Sequence, residues 1–308
     1  LFELGEITGD KPGEFQLWAE RYPLPERIPL PHGNRDLYWN AEDGVLGMVT
    51  GIGTAKSAAS ITAVALDPRF YFSEAYWLLA GIAGYDPEDA SLASVCWIDY
   101  VVDGDLSHTI DIREAPEGWP TGRFPFRAAE PYAEPRPESE GSVFRLNPGL
   151  ADRAFEKTRD TPLMDTPGIT ERRALFTGYP HAQKPPFVLK GSYLAAMNFW
   201  HGELENRWAN RWVDYWTDGE GEFVASAMEG SGMMIAMEFL DQADLVDRDR
   251  VLMLRAASNY TMQWPGATAH ESKTGESLGG YSAFIPAIEN AYAVGSPIVR
   301  ELISGWET

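Results

Sequence analysis

Residues 45–66 of this 308-residue chain read VLGMVTGIGTAKSAASITAVAL. The apolar run at 45–49 is typical of a buried strand, and the small-residue stretch at 57–66 predicts a helix after a Gly-x-Gly turn. A second apolar run at 76–80 predicts the next strand. A strand, a helix and a strand at this spacing indicate a βαβ unit with a parallel sheet.

The same alternation continues along the chain and predicts the α/β class. Single domains usually hold about 100–200 residues, but α/β domains reach about 250. We therefore expect one domain over residues 1–308, with a long irregular insertion at about 112–148, where prolines are dense. The further predicted strands lie at 93–102, 187–191, 223–227 and 251–257.

Composition excludes several classes of partner. The net charge is −21, and such a surface repels nucleic-acid backbones and anionic membranes, so we expect no nucleic-acid partner. No stretch reaches the roughly 20 apolar residues that span a bilayer, so we expect no stable membrane insertion. The histidines are scattered without metal-ligand spacing, and the sequence predicts no metal and no cofactor.

Two glycine-rich turns follow the first two predicted strands, one at Gly51 and Gly53 and one at Gly81 and Gly84. Glycine lets a backbone approach a ligand closely, and a helix N-terminus presents free N–H groups to an anion. Ligands of open α/β sheets bind outside the carboxyl ends of strands. The two turns are therefore candidates to line one cleft, with two ordinary tight turns as the alternative.

Polar pairs end two of the later predicted strands. The carboxylate of Glu229, after Met228, can accept two hydroxyl hydrogen bonds, which suits a ribose diol. The amide of Asn259, after Ser258, can both donate and accept, so it can read a purine edge. From local sequence alone, the structural alternatives are favoured: a carboxylate at a helix N-terminus and an asparagine turn.

In order and spacing, these segments resemble the motifs of the purine nucleoside phosphorylase and nucleosidase superfamily. The branch that this chain resembles most is the purine nucleoside permease (NUP) family. The blocks that carry this resemblance are Trp119–Gly122, Phe199–Gly202 and Ala287–Tyr292. The resemblance covers roughly residues 45–300 and implies a phosphorylase-like, three-layer αβα fold with a central mixed sheet.

The resemblance also implies roles for individual residues. Glu229 would hold the ribose hydroxyls while Met228 lines the sugar, and Asn259 would hydrogen-bond the base and stabilise the leaving purine. An acidic residue near the N-terminus, Glu3 or Glu6, would position water. The base would also contact Phe199, Trp200, His201 and Ser258, and the phosphate or water side would be lined by Gly51, Gly53, Gly81 and Gly84.

Two departures from the superfamily pattern shape the expected reaction. The neutral amide of Asn259 replaces an aspartate of many adenosine-acting relatives and cannot be a general acid, which favours 6-oxopurines or broad purine use. No arginine precedes Gly81, where phosphorylases carry a phosphate clamp. We therefore expect cleavage of the N-glycosidic bond of purine nucleosides, with hydrolysis favoured over phosphorolysis.

Other readings stay open at this point. The family name suggests a nucleoside-binding protein that assists purine nucleoside uptake without catalysis. An α/β protein that kept the fold and lost the site is a third reading. Family resemblance suggests a periplasmic or secreted protein, with the cytoplasm as the alternative. The oligomeric state, with a homo-oligomer as one option, and the presence of a leader peptide or first strand are not settled by the sequence.

Overall fold

The computed structural model of the protein describes residues 2–279 and 283–306. The helices are α1 (Gln16–Arg21), α2 (Thr54–Ala65), α3 (Pro148–Thr158), α4 (Pro167–Ala174), α5 (Glu203–Thr217), α6 (Gly230–Asp241), α7 (Ala269–Gly279) and α8 (Phe284–Trp306). The strands are β1 (Glu26–Ile28), β2 (Leu37–Asn40), β3 (Val45–Gly47), β4 (Trp77–Tyr85), β5 (Val95–Asp103), β6 (Ser107–Thr109), β7 (Arg123–Pro125), β8 (Val143–Arg145), β9 (Val188–Ala195), β10 (Phe223–Ala227) and β11 (Val251–Tyr260).

The central sheet has the strand order β11-β4-β10-β9-β5-β8 and is mixed. Strand β11 runs parallel to β4, and β9 runs parallel to both β5 and β10. Strand β10 is antiparallel to β4. Strand β11 also pairs with β5, so the sheet curls back on itself. All ten residues of β11 are buried, as its nearly continuous apolar sequence requires.

Helices cover both faces of this sheet. On one face, Met233 and Met237 of α6 pack with Ile61 of α2 and the odd-numbered residues of β4. On the other face, Ala287 and Val294 of α8 pack with Leu252, Leu254 and Ala256 of β11. The prediction of a three-layer αβα architecture around a mixed sheet is confirmed.

The predicted strand, helix and strand are present as β3, α2 and β4, but among the described strands β3 pairs only with β2, in a separate sheet, so the prediction that β3 and β4 form a parallel pair is wrong. The prediction of a second glycine turn is also wrong. Strand β4 runs through Gly81 and Gly84 to Tyr85. A Cβ at Gly84 would lie 3.0 Å from Nδ2 of Asn259, its partner in the β4–β11 ladder. Glycine is therefore needed there for the close approach of a neighbouring side chain, and not for a turn.

Two regions hold strands that the sequence pattern did not predict. In the Pro- and Gly-rich N-terminal region, the unpredicted strands β1 and β2 form a separate antiparallel sheet with the predicted β3. Within the segment 112–148, β7 pairs with β6, and β8 joins the central sheet through the pairing of Val102 with Val143. These strands have three or four residues each, too few to show a period.

Asn290 of α8 ties three segments together. Its Nδ2 donates to the carbonyl oxygens of Ala93 (2.8 Å) and Met164 (3.1 Å), and its Oδ1 accepts from the Met164 N–H (2.7 Å). Asn290 belongs to one of the blocks that carry the family resemblance, and it is 1% exposed. Asn290 therefore has a structural role within this block, because it fixes Ala93, which lies just before the start of β5.

Replacing Asn290→Ala should destabilise the protein by about 2–3 kcal/mol, because it leaves the buried carbonyl of Ala93 without a partner and removes two hydrogen bonds to the backbone of Met164. Thermal and urea unfolding measure this change. The exposed Gln183→Ala is the matched control and should unfold within about 0.5 kcal/mol of the unaltered protein. Equal stability of the two variants would contradict the assigned role of Asn290.

Candidate active site

Glu229 stands between the end of β10 and the start of α6, and its carboxylate is held from two sides. Oε2 accepts from Nη2 of Arg255 at 3.1 Å, and Oε1 accepts from the backbone N–H of Gly53 at 3.2 Å. Glu229 is 5% exposed. The contact with Gly53 joins the N-terminus of α2 to the end of β10, so the Gly51–Gly53 turn lies at the same place as Glu229.

Arg255 is a fully buried guanidinium in the middle of β11. Besides Glu229, Nη2 donates to the hydroxyl of Tyr193 at 3.2 Å, and Nη1 donates to the carbonyl oxygen of Ile82 at 3.4 Å. The guanidinium carbon also lies 4.8 Å from the centre of the Tyr193 ring. A buried charge needs such a set of partners, because losing one leaves it uncompensated.

Glu14 is a second buried carboxylate beside this pair. Its Oε1 accepts from the Ile82 N–H at 2.6 Å, and its Oε2 accepts from the Phe2 N–H at 3.0 Å. Burial raises the pKa of Glu14 to about 7; the Glu229 carboxylate adds to the rise and Arg255 opposes it. Sequence reasoning missed Glu14, because it lies in a Pro- and Gly-rich stretch without a period.

Glu3, predicted to position water, has a different place. Its two carboxylate oxygens accept from the backbone N–H groups of Leu4, Gly13, Phe15 and Gln16. These four hydrogen bonds from backbone N–H groups fix the loop that carries Glu14, so the role of Glu3 is structural. The other acidic candidate, Glu6, is exposed. The N-terminal acidic residue that reaches the site is therefore Glu14.

Asn259 and Ser258 lie on β11, the strand that also carries Arg255, and β4 lies between this strand and β10. Asn259 pairs with Gly84, and Gly84 pairs with Ser226, three residues before Glu229. With strands about 4.8 Å apart, the backbones of Asn259 and Ser226 are about 10 Å apart. The Asn259 amide accepts from the Ser258 hydroxyl (2.9 Å) and donates to the Tyr260 carbonyl (3.0 Å).

The three consecutive residues Phe199, Trp200 and His201 occupy different environments. Phe199 is 46% exposed, and Nζ of Lys273 lies 3.8 Å from its ring centre. Trp200 is 7% exposed in a cluster with Trp208 and other residues of α5. The prediction that either aromatic ring stacks on a base is therefore corrected to Phe199, because Trp200 is part of the core.

His201 is kept neutral by its surroundings. Burial, together with the charges of Lys273 and Arg172, lowers the pKa of His201 to about 4. Its ring approaches the backbone of Tyr260 without reaching hydrogen-bond geometry, so both ring nitrogens are buried without a partner among the described residues. A neutral imidazole offers one donor and one acceptor to a ligand.

Met197 was not predicted and packs against the Gly53 turn. Its sulfur accepts from the Thr54 N–H at 3.0 Å, and a Cβ on Gly53 would lie 2.6 Å from that sulfur. Gly53 also has a φ of +95°, so both its backbone and its surroundings favour glycine. Met228 is half-buried beside Glu229, and together these residues give the site an apolar border.

The arrangement combines groups suited to distinct steps of one reaction. An ion-paired carboxylate, Glu229, can accept hydroxyl hydrogen bonds and stabilise positive charge. A carboxylate with a pKa of about 7, Glu14, can take a proton from water near neutral pH. Neutral donors and acceptors, Asn259 and His201, belong to the segments around the end of β11.

Comparisons with known proteins show the family to which this chain belongs. A family model described as purine nucleoside permease (NUP) matches residues 1–308. The purine nucleoside permease of Candida albicans is 28% identical over 297 residues, which cover 94% of this chain and 72% of that protein. A probable purine nucleoside permease of Schizosaccharomyces pombe is 27% identical over 278 residues, which cover 88% of this chain and 79% of that protein.

Solved structures share the fold at low sequence identity. An MTA/SAH nucleosidase of Streptococcus pneumoniae in complex with 8-aminoadenine has a TM-score of 0.53 and 15% identity, covering 93% of this chain and 96% of that chain. A futalosine hydrolase of Helicobacter pylori has a TM-score of 0.55 and 14% identity, covering 94% and 96%. Within residues 2–279 and 283–306, no helix has both the length and the apolar character to cross a membrane.

The raised pKa of Glu14 has a consequence for stability. An unfolded glutamate has a pKa of about 4.3, so between about pH 4 and pH 7 the folded protein binds more protons than the unfolded chain. The free energy of unfolding should therefore fall as pH rises through this window. Glu14→Gln removes the titrating group, so its free energy of unfolding should fall less between pH 4 and pH 8 than that of the unaltered protein, by on the order of 2 kcal/mol. The amide also has one acceptor oxygen for two backbone N–H donors, and this loss is the same at both pH values.

Urea unfolding at pH 4 and pH 8 measures this difference. The exposed Glu6→Gln is the control and should follow the unaltered protein at both pH values. The assignment fails if Glu14→Gln and the unaltered protein show the same change in stability between pH 4 and pH 8.

Proposed function

We propose that this chain, which belongs to the purine nucleoside permease (NUP) family, cleaves the N-glycosidic bond of purine nucleosides. The reaction that we favour is hydrolysis, which releases the free base and ribose. The observation that carries the proposal is the buried cluster of Glu14, Glu229 and Arg255, in which Glu229 follows β10 and Arg255 lies in the middle of β11. The nucleosidase folds of the structural neighbours are consistent with it.

Glu229 is proposed to hold the sugar. Arg255 and the Gly53 N–H each occupy one oxygen of its carboxylate, and each oxygen keeps a further lone pair for a ribose hydroxyl. Cleavage of the bond places positive charge on the sugar ring, and a fixed carboxylate nearby stabilises that charge. Met228 borders the same side and would pack under the ribose.

Glu14 is proposed to activate water. A general base works best when its pKa is near the working pH, and burial places that of Glu14 at about 7. In its ionised form it accepts a proton from water as the oxygen of that water attacks C1′ of the sugar. Its backbone partners Phe2 and Ile82 fix the direction of the carboxylate.

The leaving purine carries negative charge, which hydrogen-bond donors must stabilise. Asn259 is proposed to rotate away from its bonds with Ser258 and Tyr260 and to donate to the base. Phe199, exposed at the edge of the site, would stack on the ring, and neutral His201 would supply further hydrogen bonds. Among the described residues proposed to contact the base, Asn259 and Phe199 do not ionise and His201 is neutral near pH 7, so hydrogen bonds carry the leaving-group step.

Hydrolysis is favoured over phosphorolysis because the nearby arginines are engaged. Arg255 is paired with Glu229, and Arg123 is paired with Glu205 and stacked on Trp208. The two buried carboxylates would also repel a phosphate ion. If the reaction were phosphorolysis, Lys56, which is exposed near Gly51, would be a candidate cation for binding the phosphate.

Binding of nucleosides without cleavage is the second candidate. The curated relatives are called permeases, which favours a role in uptake. In this case the same pocket would hold the nucleoside, and Glu14 would not act as a base. By family resemblance we propose a periplasmic or secreted location for either activity.

Incubation with inosine, guanosine and adenosine, with and without phosphate, tests the reaction. We expect release of free base at equal rates in both conditions, since water is the nucleophile. Glu229→Gln and Glu14→Gln should each lower kcat/KM at least about 100-fold, as expected for groups that act in the transition state. The exposed Glu6→Gln should leave kcat/KM unchanged.

Release of base only when phosphate is present would show that the reaction is phosphorolysis and not hydrolysis. Tight nucleoside binding in calorimetry without release of base would favour the binding protein. Absence of both binding and release would overturn the proposed function as a whole.

The pH dependence of kcat/KM tests the role of Glu14 separately. We expect kcat/KM to rise tenfold per pH unit below about pH 7 and to level off above it, because the ionised carboxylate is the active form. The residual activity of Glu14→Gln should not rise with pH in this range. If kcat/KM of Glu14→Gln still rises tenfold per pH unit below about pH 7, the general base is another group.

A further inference from the structure

A fully buried carboxylate, Asp86, lies directly after β4 and takes no part in the steps proposed above. Its Oδ2 accepts from Nδ2 of Asn206 at 2.9 Å and from Nδ2 of Asn210 at 2.6 Å, both on α5, and its Oδ1 accepts from the Glu88 N–H at 2.9 Å. Burial raises the pKa of Asp86, and these three hydrogen bonds oppose the rise. Three donors directed at one carboxylate fit its ionised form, which only accepts hydrogen bonds.

The network continues from Asn206 to Thr261, the residue that follows β11. Oγ1 of Thr261 lies 2.6 Å from Oδ1 of Asn206 and 3.0 Å from the carbonyl oxygen of Tyr85. Because Asp86 only accepts, Asn206 turns its NH2 group towards Asp86 and its oxygen towards Thr261. The single proton of the Thr261 hydroxyl then lies on the shorter of the two contacts, the one to Asn206. Asp86 therefore fixes the direction of each hydrogen bond as far as the end of β11.

Backbone hydrogen bonds join the same segments. The Thr261 N–H donates to the carbonyl oxygen of Tyr85 at 2.9 Å, and the Gly202 N–H donates to the carbonyl oxygen of Thr261 at 2.9 Å. Thr261 thus connects the end of β4, the end of β11 and the start of α5. His201 lies directly before Gly202, and Asn259 lies two residues before Thr261. The relative position of His201 and Asn259 is therefore set through Thr261.

The residues proposed to contact the base lie on these segments. Phe199 and His201 belong to the connection between β9 and α5, and Asn259 belongs to the end of β11. The sugar side is held by other partners, because Glu229 is bound by Arg255 and by the N-terminus of α2. The network therefore acts on the binding of the base and not on that of the sugar.

We propose that Asp86, Asn206 and Thr261 are positioning residues for the purine base, which fix the gap between His201 and Asn259 that the base occupies. The inference rests on the proposed function in placing a base between these two side chains. A displacement of about 1 Å in such a gap costs up to about 100-fold in rate, although none of the three residues is proposed to touch the ligand. A network that served the fold alone would affect every substrate equally.

Two variants disturb the network with little change of shape. Thr261→Val replaces the hydroxyl by a methyl group, and Asp86→Asn brings an NH2 group against the amide donors of α5. In calorimetry, both variants should bind hypoxanthine and adenine at least about tenfold more weakly than the unaltered protein, because the base is no longer held from both sides. Thr261→Ser restores the hydroxyl and should bind both bases within about threefold of the unaltered protein.

Cleavage gives a second readout, which depends on the leaving group. For inosine, kcat/KM should fall at least about tenfold in Asp86→Asn and Thr261→Val, since the leaving purine anion needs hydrogen bonds that are held in place. p-Nitrophenyl β-D-ribofuranoside has the same sugar, but its p-nitrophenolate is a stabilised anion that leaves without donors from the protein. For this substrate, kcat should change less than about twofold in both variants.

Thr158→Val is the matched control. Thr158 is 1% exposed in α3, and its hydroxyl donates to the Ala154 carbonyl oxygen at 2.6 Å and accepts from Nε1 of Trp97 at 2.9 Å. Like Thr261→Val, this variant loses one buried hydroxyl and should lower Tm. Its affinity for hypoxanthine and the ratio of its two cleavage rates should equal those of the unaltered protein, because α3 lies outside the network.

The proposal is overturned if Asp86→Asn and Thr261→Val keep the affinity of the unaltered protein for both bases, or if they slow both substrates by the same factor. If Asp86→Asn fails to fold, the comparison of Thr261→Val with Thr261→Ser decides. Binding of either base without cleavage of inosine would overturn the proposed hydrolysis alone, and the affinities of the variants would still decide the positioning role. Binding of neither base by the unaltered protein would overturn both.

Discussion

A charged guanidinium buried at the centre of the sheet is the constraint from which the site follows. Arg255 is 0% exposed, so its charge requires partners within the protein. Those partners are the Glu229 carboxylate, the Tyr193 hydroxyl and the Ile82 carbonyl, which belong to three other parts of the chain. Removing any one of them would leave buried charge uncompensated, and so the geometry of the site is bound to the stability of the fold.

This arrangement separates two kinds of chemistry along one edge of the sheet. Around β4 and β10, the carboxylates of Glu14 and Glu229 create a negative region suited to a cationic sugar and to activation of water. Around the end of β11, neutral groups such as Asn259 and His201 face the place proposed for the base.

The sequence predicted the parts of this account that depend on local pattern. The apolar run at 45–49 and the small-residue stretch after it indicated β3 and α2, whereas Glu229 was chosen by family resemblance, because its local pattern favoured a carboxylate at a helix N-terminus. Long-range contacts decided the rest. Glu14 gains its raised pKa from burial against Ile82 and from charges on β10 and β11, none of which a local pattern contains. Whether Phe199 or Trp200 is buried depends on α5 in the same way.

The central claim is that one nucleoside bridges the buried cluster and the end of β11. A crystal structure of the protein with a bound purine nucleoside tests it most directly. The account predicts both ribose hydroxyls within hydrogen-bond distance of the Glu229 carboxylate, a water between Glu14 and C1′, and the base edge at Asn259. A nucleoside bound elsewhere, or bound here with Glu229 still facing only Arg255 and Gly53, would contradict it.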